Sequence, residues 1–145
     1  MKRVILDLCA GSGNWSQPYL EAGYEVVRVD LPQDVRLLER FAKPVHGILC
    51  APPCTVFSLA GVWVQRSPDE IKLALSVVDA CLRLVVAHRP VWWALENPRG
   101  RLSRYLGPPP TSSIPATSGT RTRSGRVFGV TSPRPSSSRF PPSVP

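Results

Sequence analysis

Two side chains that could take part in covalent chemistry follow short apolar runs in this sequence. Cys54 comes directly after Pro52 and Pro53, which end the apolar run from residue 47 to 51, because proline cannot donate to a strand ladder. A thiol on such a stiff turn is a candidate nucleophile. Glu96 follows another apolar run and could exchange a proton. Because a single cysteine is more often a small buried hydrophobe, the interpretation of Cys54 depends on the residues that would surround it.

A candidate ligand-binding loop lies near the start of the chain. A short apolar run reaches Asp7 and is followed by a loop with Gly11 and Gly13. Glycines let the backbone turn tightly and approach a ligand, and a strand, a glycine loop and a helix open a nucleotide-binding α/β domain. The next predicted strand ends in Asp30, where an acid commonly accepts from ribose hydroxyls. With no third glycine and no P-loop lysine, dinucleotide and triphosphate sites fit poorly.

The elements that must position these residues can be predicted from hydrophobic periodicity. Strands are predicted over residues 3–8, 25–30, 47–51 and 91–95, and helices over residues 17–22 and 68–88, which favours a mostly parallel α/β sheet. Ser67, Pro68 and Glu70 match a capping-box start for the long helix. Asp34 has two interpretations, the N-cap of a helix over residues 35–42 or a ligand contact. Polar residues at the carboxyl ends of neighbouring parallel strands are expected to meet at one edge.

The net charge of +8 is confined to the end of the chain. Residues 1–97 hold ten basic and ten acidic residues, whereas residues 98–145 hold eight arginines, no acid and ten of the 17 prolines. This break predicts a globular domain over residues 1–107 and a disordered basic tail over residues 108–145. The four cysteines show no zinc-type spacing, so we expect no metal and a reducing compartment. Neither a signal peptide nor a membrane-spanning segment is expected.

Three motifs, in this order, resemble those of the DNA cytosine-C5 methyltransferases. Leu-Asp-Leu-Cys-Ala-Gly-Ser-Gly at residues 6–13 resembles the first motif of class I methyltransferases, which bind S-adenosylmethionine (AdoMet). Pro-Cys-x-x-Phe-Ser at residues 53–58 resembles the nucleophile motif, and Glu-Asn-Pro at residues 96–98 resembles the Glu-Asn-Val motif. The compact spacing is similar to that of the short phage- and prophage-type members. The resemblance implies an AdoMet-dependent, Rossmann-like α/β fold over about residues 3 to 107.

The resemblance also implies roles for individual residues. Cys54 would add to C6 of a cytosine flipped out of DNA, and Glu96 would protonate or hydrogen-bond its N3. Asn97 would position the Glu96 loop or the Pro52-Pro53 backbone. Asp30 would hold the ribose of AdoMet and Asp34 its adenine amino group. The full set implied for AdoMet is Asp7, Leu8, Cys9, Gly11, Gly13, Asp30, Leu31, Asp34 and Pro52. The expected location is the cytoplasm of a bacterial or phage-infected cell.

Other functions stay open on the sequence alone. An RNA cytosine-C5 methyltransferase would also use a Pro-Cys turn. An amino methyltransferase uses an Asp/Asn-Pro-Pro-aromatic motif, but Ala51 and Cys54 stand at its end positions, which removes the acceptor for the target amine. A third possibility is an inactive fragment, or a protein that binds nucleic acid through the arginines of the tail. The tail offers only Phe128 and Phe140 for base stacking.

The end of the chain departs from the family pattern, because the target recognition domain and the late motifs of the AdoMet pocket are not present. We expect a truncated chain whose residues after about Gly107 are a frameshifted reading of an intact gene. Codons for Pro115 to Pro135 can be chosen so that the shifted frame reads Gly-Asp-Pro-Tyr-Thr-Lys, similar to the segment after Glu-Asn-Pro in the short phage-type enzymes. The chain would then be inactive or nearly so. A shifted-frame stop codon between Thr111 and Pro135 would contradict this expectation.

Overall fold

A mostly parallel sheet forms the centre of the computed structural model, which describes residues 1–59, 63–98, 100–108 and the backbone of residues 125–128. Within these residues the sheet has the strand order β2-β1-β3-β4-β5. The first four strands are parallel, and β5 runs antiparallel to β4. The bounds are β1 Val4–Leu8, β2 Glu25–Val29, β3 Val45–Cys50, β4 Trp92–Pro98 and β5 Gly125–Phe128. The predicted α/β class with a mostly parallel sheet is confirmed.

Among the described residues, four helices lie between successive strands along the chain. They are α1 Gln17–Glu21, a 3-10 helix Val35–Leu37, α2 Pro68–His88 and α3 Ser103–Leu106. The predicted start of α2 is confirmed, since the Ser67 hydroxyl accepts from the Glu70 amide at 3.2 Å and the Glu70 carboxylate accepts from the Ser67 amide at 2.8 Å. In the described part of the chain, no helix has the length and apolar character needed to cross a membrane.

The core fills both faces of the central strands. On one face, buried side chains of β1, β3 and β4 pack against α2; they include Leu6, Leu8, Ile48, Cys50 and Leu95, with Val78, Cys81 and Leu84 from the helix. On the other face, Ile5, Leu49 and Ala94 are covered by partly buried side chains that include Trp15, Tyr19, Tyr24 and Trp92. Burial on both faces explains why β1 and β3 are mostly apolar, and it fixes the strand ends that carry the candidate site.

Two of the predicted elements differ from the structure by more than two residues at one end. The alternative helix over residues 35–42 is wrong beyond Leu37, because Leu38 is extended and its carbonyl accepts from the Arg83 guanidinium of α2 at 2.9 Å. The fourth strand does not end at residue 95 but continues to Pro98. Its last residues pair with β5 in an antiparallel ladder, in which Glu96 lies opposite Val127. A pairing with so distant a segment has no local sequence signal.

The predicted disordered tail and the predicted frameshift fall mostly on residues 109–124 and 129–145, which lie outside the described residues. Within the tail the structure describes Pro108 and the backbone of the strand Gly125–Phe128. The two predictions therefore stay predictions, with the difference that four residues of the tail form a strand beside β4.

Candidate active site

At the carboxyl edge of the sheet, the segments that follow β1 and β3 stay paired with the ends of their neighbouring strands. The Ala51 amide donates to the Leu8 carbonyl at 3.0 Å, and the Ala10 amide donates to the Val29 carbonyl at 3.1 Å. Each loop thus stays paired beyond the last residue of its strand. The structure thereby brings the glycine loop next to the segment that leads into Pro52, at the edge where open α/β sheets bind ligands.

Cys54 begins a tight turn at this edge. Its carbonyl accepts from the amides of Phe57 and Ser58 at 2.9 and 2.8 Å, and its side chain is half-buried. The turn is tied to the next strand, because the Asn97 side-chain amide donates to the Pro52 carbonyl at 3.4 Å. Asn97 is fully buried, so this contact fixes the backbone just before Cys54. Holding the Pro52 backbone is one of the two roles that the family resemblance implies for Asn97.

Glu96 stands beside Asn97 in β4, the parallel neighbour of β3. Since successive side chains of a strand point to opposite faces, Glu96 and Asn97 leave β4 on different sides. The Glu96 side chain is half-buried, and burial raises the pKa of its carboxyl group. The raised pKa favours the neutral acid, which is the form that can donate a hydrogen bond or a proton.

The other three thiols form a single series of hydrogen bonds, in which Cys50 and Cys81 are buried and Cys9 is half-buried. Cys9 donates to Cys81, and Cys81 donates to Cys50; each donation raises the pKa of the donor thiol. Thiols with a raised pKa form little thiolate at neutral pH and are poor nucleophiles. All four cysteines of the sequence are free and described, and Cys54 is the one outside this chain of thiols.

Asp7 has the environment expected of a site for a cationic group. It is 1% exposed, and neither carboxylate oxygen has a hydrogen-bond partner in the described part of the chain. Burial raises the pKa of Asp7, the nearby Ser16 hydroxyl and Arg28 guanidinium lower it, and Asp30 raises it. A buried carboxylate without partners is costly. The ammonium group of AdoMet would satisfy it, so the residues present fit this cofactor.

The two glycines of the loop after β1 differ in the space around them. Gly11 has a φ of +52°, and a Cβ at this position would meet no atom within 4 Å. Gly13 has a φ of +72°, but a Cβ there would lie 2.6 Å from the Arg28 guanidinium. The open space is therefore on the side of Gly11, while Gly13 is enclosed by a side chain of β2.

The remaining residues of the predicted AdoMet set differ in their surroundings. Asp30 and Leu31 lie at the surface, and Leu31 is 86% exposed. Cys9 has a φ of +60° and its thiol contacts Cys81, so it faces the core with its side chain. Asp34 caps the 3-10 helix and forms a 2.6 Å ion pair with Arg36, which lowers the pKa of the carboxyl group. The structure thus shows the capping role for Asp34, and its contact with adenine stays a prediction.

Arg28 is part of this site, although it belongs to none of the sequence motifs. Its Nε donates to the Ser16 hydroxyl at 3.0 Å, and its terminal nitrogen donates to the Gly13 carbonyl at 3.1 Å and to Gln17 Oε1 at 3.0 Å. The one available sequence signal was a charged residue inside the otherwise apolar end of β2.

Across residues 1–59, 63–98 and 100–108, no group of three or more His, Cys, Asp or Glu side chains is arranged to hold a metal ion.

The Asp7→Asn variant should be more stable than the wild type and should lose affinity for S-adenosylhomocysteine. Because the folded chain holds the Asp7 proton more tightly than the unfolded chain, stability falls as pH rises from the ordinary pKa of 3.8 through the raised one. The gain in melting temperature should therefore be larger at pH 7 than near pH 4. Asp79→Asn is the matched control, because Asp79 lies on the solvent-exposed face of α2. Equal gains at both pH values would contradict the assignment.

Comparison with known proteins finds similarity both in sequence and in structure. The chain is 29% identical over 123 residues to the Type II methyltransferase M.HgiGI of Herpetosiphon aurantiacus, and the match covers 68% of this chain and 94% of that protein. No protein-family model matches the chain.

The fold is similar to a crystal structure from E. coli that is assigned as a DNA modification methyltransferase encoded within a prophage. The TM-score is 0.53 at 21% sequence identity, and the match covers 73% of this chain and 35% of the other, so this chain spans about a third of that protein. The likeness confirms the Rossmann-like α/β fold.

Proposed function

We propose that this chain, which fits a DNA methyltransferase family in sequence and fold, carries the site that transfers a methyl group from AdoMet to C5 of cytosine in DNA. The observation that carries the proposal is the position of Cys54. It is the one thiol outside the buried thiol chain, and it lies on a turn that Asn97 of the neighbouring strand holds. A half-buried carboxyl group with a raised pKa, Glu96, precedes Asn97 on that strand.

Cys54 would act as the nucleophile that activates the base. Carbon 5 of cytosine is a poor nucleophile. Addition of the Cys54 thiolate to C6 forms a bond between Sγ and C6 and moves the electron pair of the ring double bond to C5. Glu96 assists this step in its neutral form, because a proton or hydrogen bond at N3 draws electron density from the ring.

The cofactor would lie over the glycine loop. When bound, AdoMet supplies an electrophilic methyl group for C5. Asp7 would accept from its ammonium group, the backbone around Gly11 would lie against it, and Asp30 at the end of β2 would accept from its ribose hydroxyls. The adjacency of the glycine loop and the Pro52 segment supports a methyl group presented close to Cys54.

The nucleophile must leave after the transfer. The C5 proton would pass to a solvent water, its electron pair would re-form the double bond between C5 and C6, and the bond between C6 and the Cys54 sulfur would break to regenerate the thiolate. The proton held at N3 would return to Glu96. The target base has to leave the duplex to enter such a pocket, as in other enzymes that modify bases. We also propose that residues 1–107 form the domain that carries the site, that the tail over residues 108–145 is disordered apart from β5, and that the protein acts in the cytoplasm, where DNA and AdoMet are found.

Analysis of the methylated product tests the proposal. If the gene contains the predicted frameshift, the assay uses the restored chain, defined as residues 1–107 followed by the shifted-frame reading; otherwise it uses the 145-residue chain. DNA and RNA are incubated with deuterium-labelled AdoMet, and the nucleosides are analysed by mass spectrometry. Labelled 5-methylcytosine in DNA is expected. Label in N4-methylcytosine or N6-methyladenine would show an amino methyltransferase, and label confined to RNA would contradict DNA as the substrate.

A further inference from the structure

The side chain of Arg28 crosses from β2 to the glycine loop. Asp7 and Arg28 lie directly opposite each other in the parallel ladder of β1 and β2, so both leave the sheet on the same face. Three hydrogen bonds then connect the guanidinium to the loop: to the Ser16 hydroxyl at 3.0 Å, to the Gly13 carbonyl at 3.1 Å and to Gln17 Oε1 at 3.0 Å. Ser16 is fully buried and its hydroxyl donates to the same Gly13 carbonyl at 3.2 Å.

This arrangement explains why residue 13 is glycine. A Cβ there would lie 2.6 Å from both Cζ and Nε of Arg28, so the guanidinium occupies the space that a side chain would need. The left-handed φ of +72° adds a second reason. Gly13 therefore accommodates Arg28, whereas Gly11 borders open space.

The acceptors of Arg28 are all neutral. Its donors are directed to a hydroxyl, a backbone carbonyl and a side-chain amide oxygen, and both oxygens of Asp7 are left without a hydrogen bond in the described part of the chain. A direct ion pair would have satisfied the carboxylate and closed it to a ligand. The guanidinium is near enough to lower the pKa of Asp7 without occupying it.

We propose that Arg28 is a positioning residue for the cofactor: it holds the Gly13–Gln17 segment on β2 and favours the ionised form of Asp7 while it leaves both carboxylate oxygens open to a cationic group. The inference rests on the proposed function, because the ammonium of AdoMet is the cation that Asp7 would receive. The other groups near Asp7 are Asp30 directly after β2, the Cys9 thiol after β1 and the Ser16 hydroxyl before α1, while β3 presents the apolar side chain of Leu49 beside it. Among these groups, Arg28 is the one that carries a positive charge.

The test uses three variants of the full chain. Arg28→Gln removes the charge, Arg28→Lys keeps the charge but not the three-way hydrogen bonding, and Arg40→Gln removes an exposed arginine on the loop after the 3-10 helix. The first readout is the titration of the Asp7 carboxyl carbon by NMR without any ligand. Its midpoint should move upward in Arg28→Gln and stay near the wild-type value in Arg28→Lys and Arg40→Gln. A merely structural role for Arg28 would not separate the glutamine variant from the lysine variant in this way.

The second readout is the affinity for two nucleosides by calorimetry. S-Adenosylhomocysteine carries the amino-acid end that Asp7 would bind, and methylthioadenosine lacks it. Arg28→Gln should weaken S-adenosylhomocysteine by about tenfold and change methylthioadenosine by much less. An unchanged Asp7 midpoint, or equal losses for both nucleosides, would overturn the role of Arg28. Failure of the wild type to bind either nucleoside would instead overturn the proposed function, and the Asp7 midpoint would still decide whether Arg28 controls this carboxylate.

Discussion

The Cys54→Ser variant is expected to lose methyl transfer almost completely while it keeps its affinity for S-adenosylhomocysteine. Serine holds its proton at neutral pH, so no nucleophile would be available for C6 of the base, and the rate should fall by at least about 10³-fold. The turn should keep its shape, because its two hydrogen bonds are accepted by the backbone carbonyl of residue 54. The measurement is single-turnover methylation of DNA with the restored chain, or with the 145-residue chain if the gene shows no frameshift.

Two further variants separate the thiol from its surroundings. Cys81→Ser keeps a hydrogen-bonding group in the buried thiol chain and should retain activity. Glu96→Gln keeps the shape of the acid but cannot deliver a proton, and a loss of about 10²-fold or more is expected. Since burial raises the pKa of Glu96 and the neutral form is the active one, the wild-type rate should fall as pH rises through this pKa. A wild-type methylation rate in the Cys54→Ser variant would show that Cys54 is not the nucleophile.

Gly100→Ala should disrupt the turn that carries Cys54. A Cβ on Gly100 would lie 1.8 Å from the Phe57 carbonyl oxygen, and backbone atoms cannot move aside as the end of a flexible side chain can. That same oxygen accepts from the Arg101 amide at 2.7 Å, and Ser58 forms a bridge with Gly100. The substitution must push the two segments apart, at a cost of about 1–3 kcal/mol in the free energy of unfolding.

The effect of Gly100→Ala on activity should exceed its effect on stability. Phe57 is 1% exposed and packs edge-on against Tyr105 with ring centroids 6.1 Å apart, so the displacement is transmitted to the Phe57–Cys54 hydrogen bond. Gly23→Ala is the control, because it adds backbone strain at a φ of +87° where a Cβ meets no atom. Melting temperatures and methylation rates of both variants are compared. If Gly100→Ala and Gly23→Ala had equal methylation rates, the close contact between Gly100 and Phe57 would not be needed to hold the Cys54 turn.

Local signals in the sequence were sufficient for most of the fold. The apolar runs placed four strands, and the Ser67-Glu70 capping box placed the start of α2, because both depend on residues close together in the chain. The predicted edge of the sheet also brought Asp7, Cys54 and Glu96 to neighbouring strands, since parallel strands end on the same side.

What the sequence could not show depends on distant partners. The extension of β4 through Asn97 depends on pairing with β5, and the early end of the 3-10 helix depends on Arg83 of α2. The arrangement of Cys9, Cys50 and Cys81 in one buried chain arises only when β1, β3 and α2 pack together. Arg28 was missed for the same reason, because its partners lie in a loop more than ten residues earlier.

Trapping of Cys54 on a modified duplex tests the central claim most directly. A pool of DNA duplexes that contain 5-fluorocytosine is incubated with AdoMet and the chain used for the methylation assay, and the products are separated under denaturing conditions. Fluorine cannot leave C5 as a proton does, so the bond between sulfur and C6 should persist after methyl transfer. The account predicts a covalent complex whose cross-linked peptide contains Cys54 and which disappears in Cys54→Ser. No complex with the wild type, or an equal yield with Cys54→Ser, would contradict it.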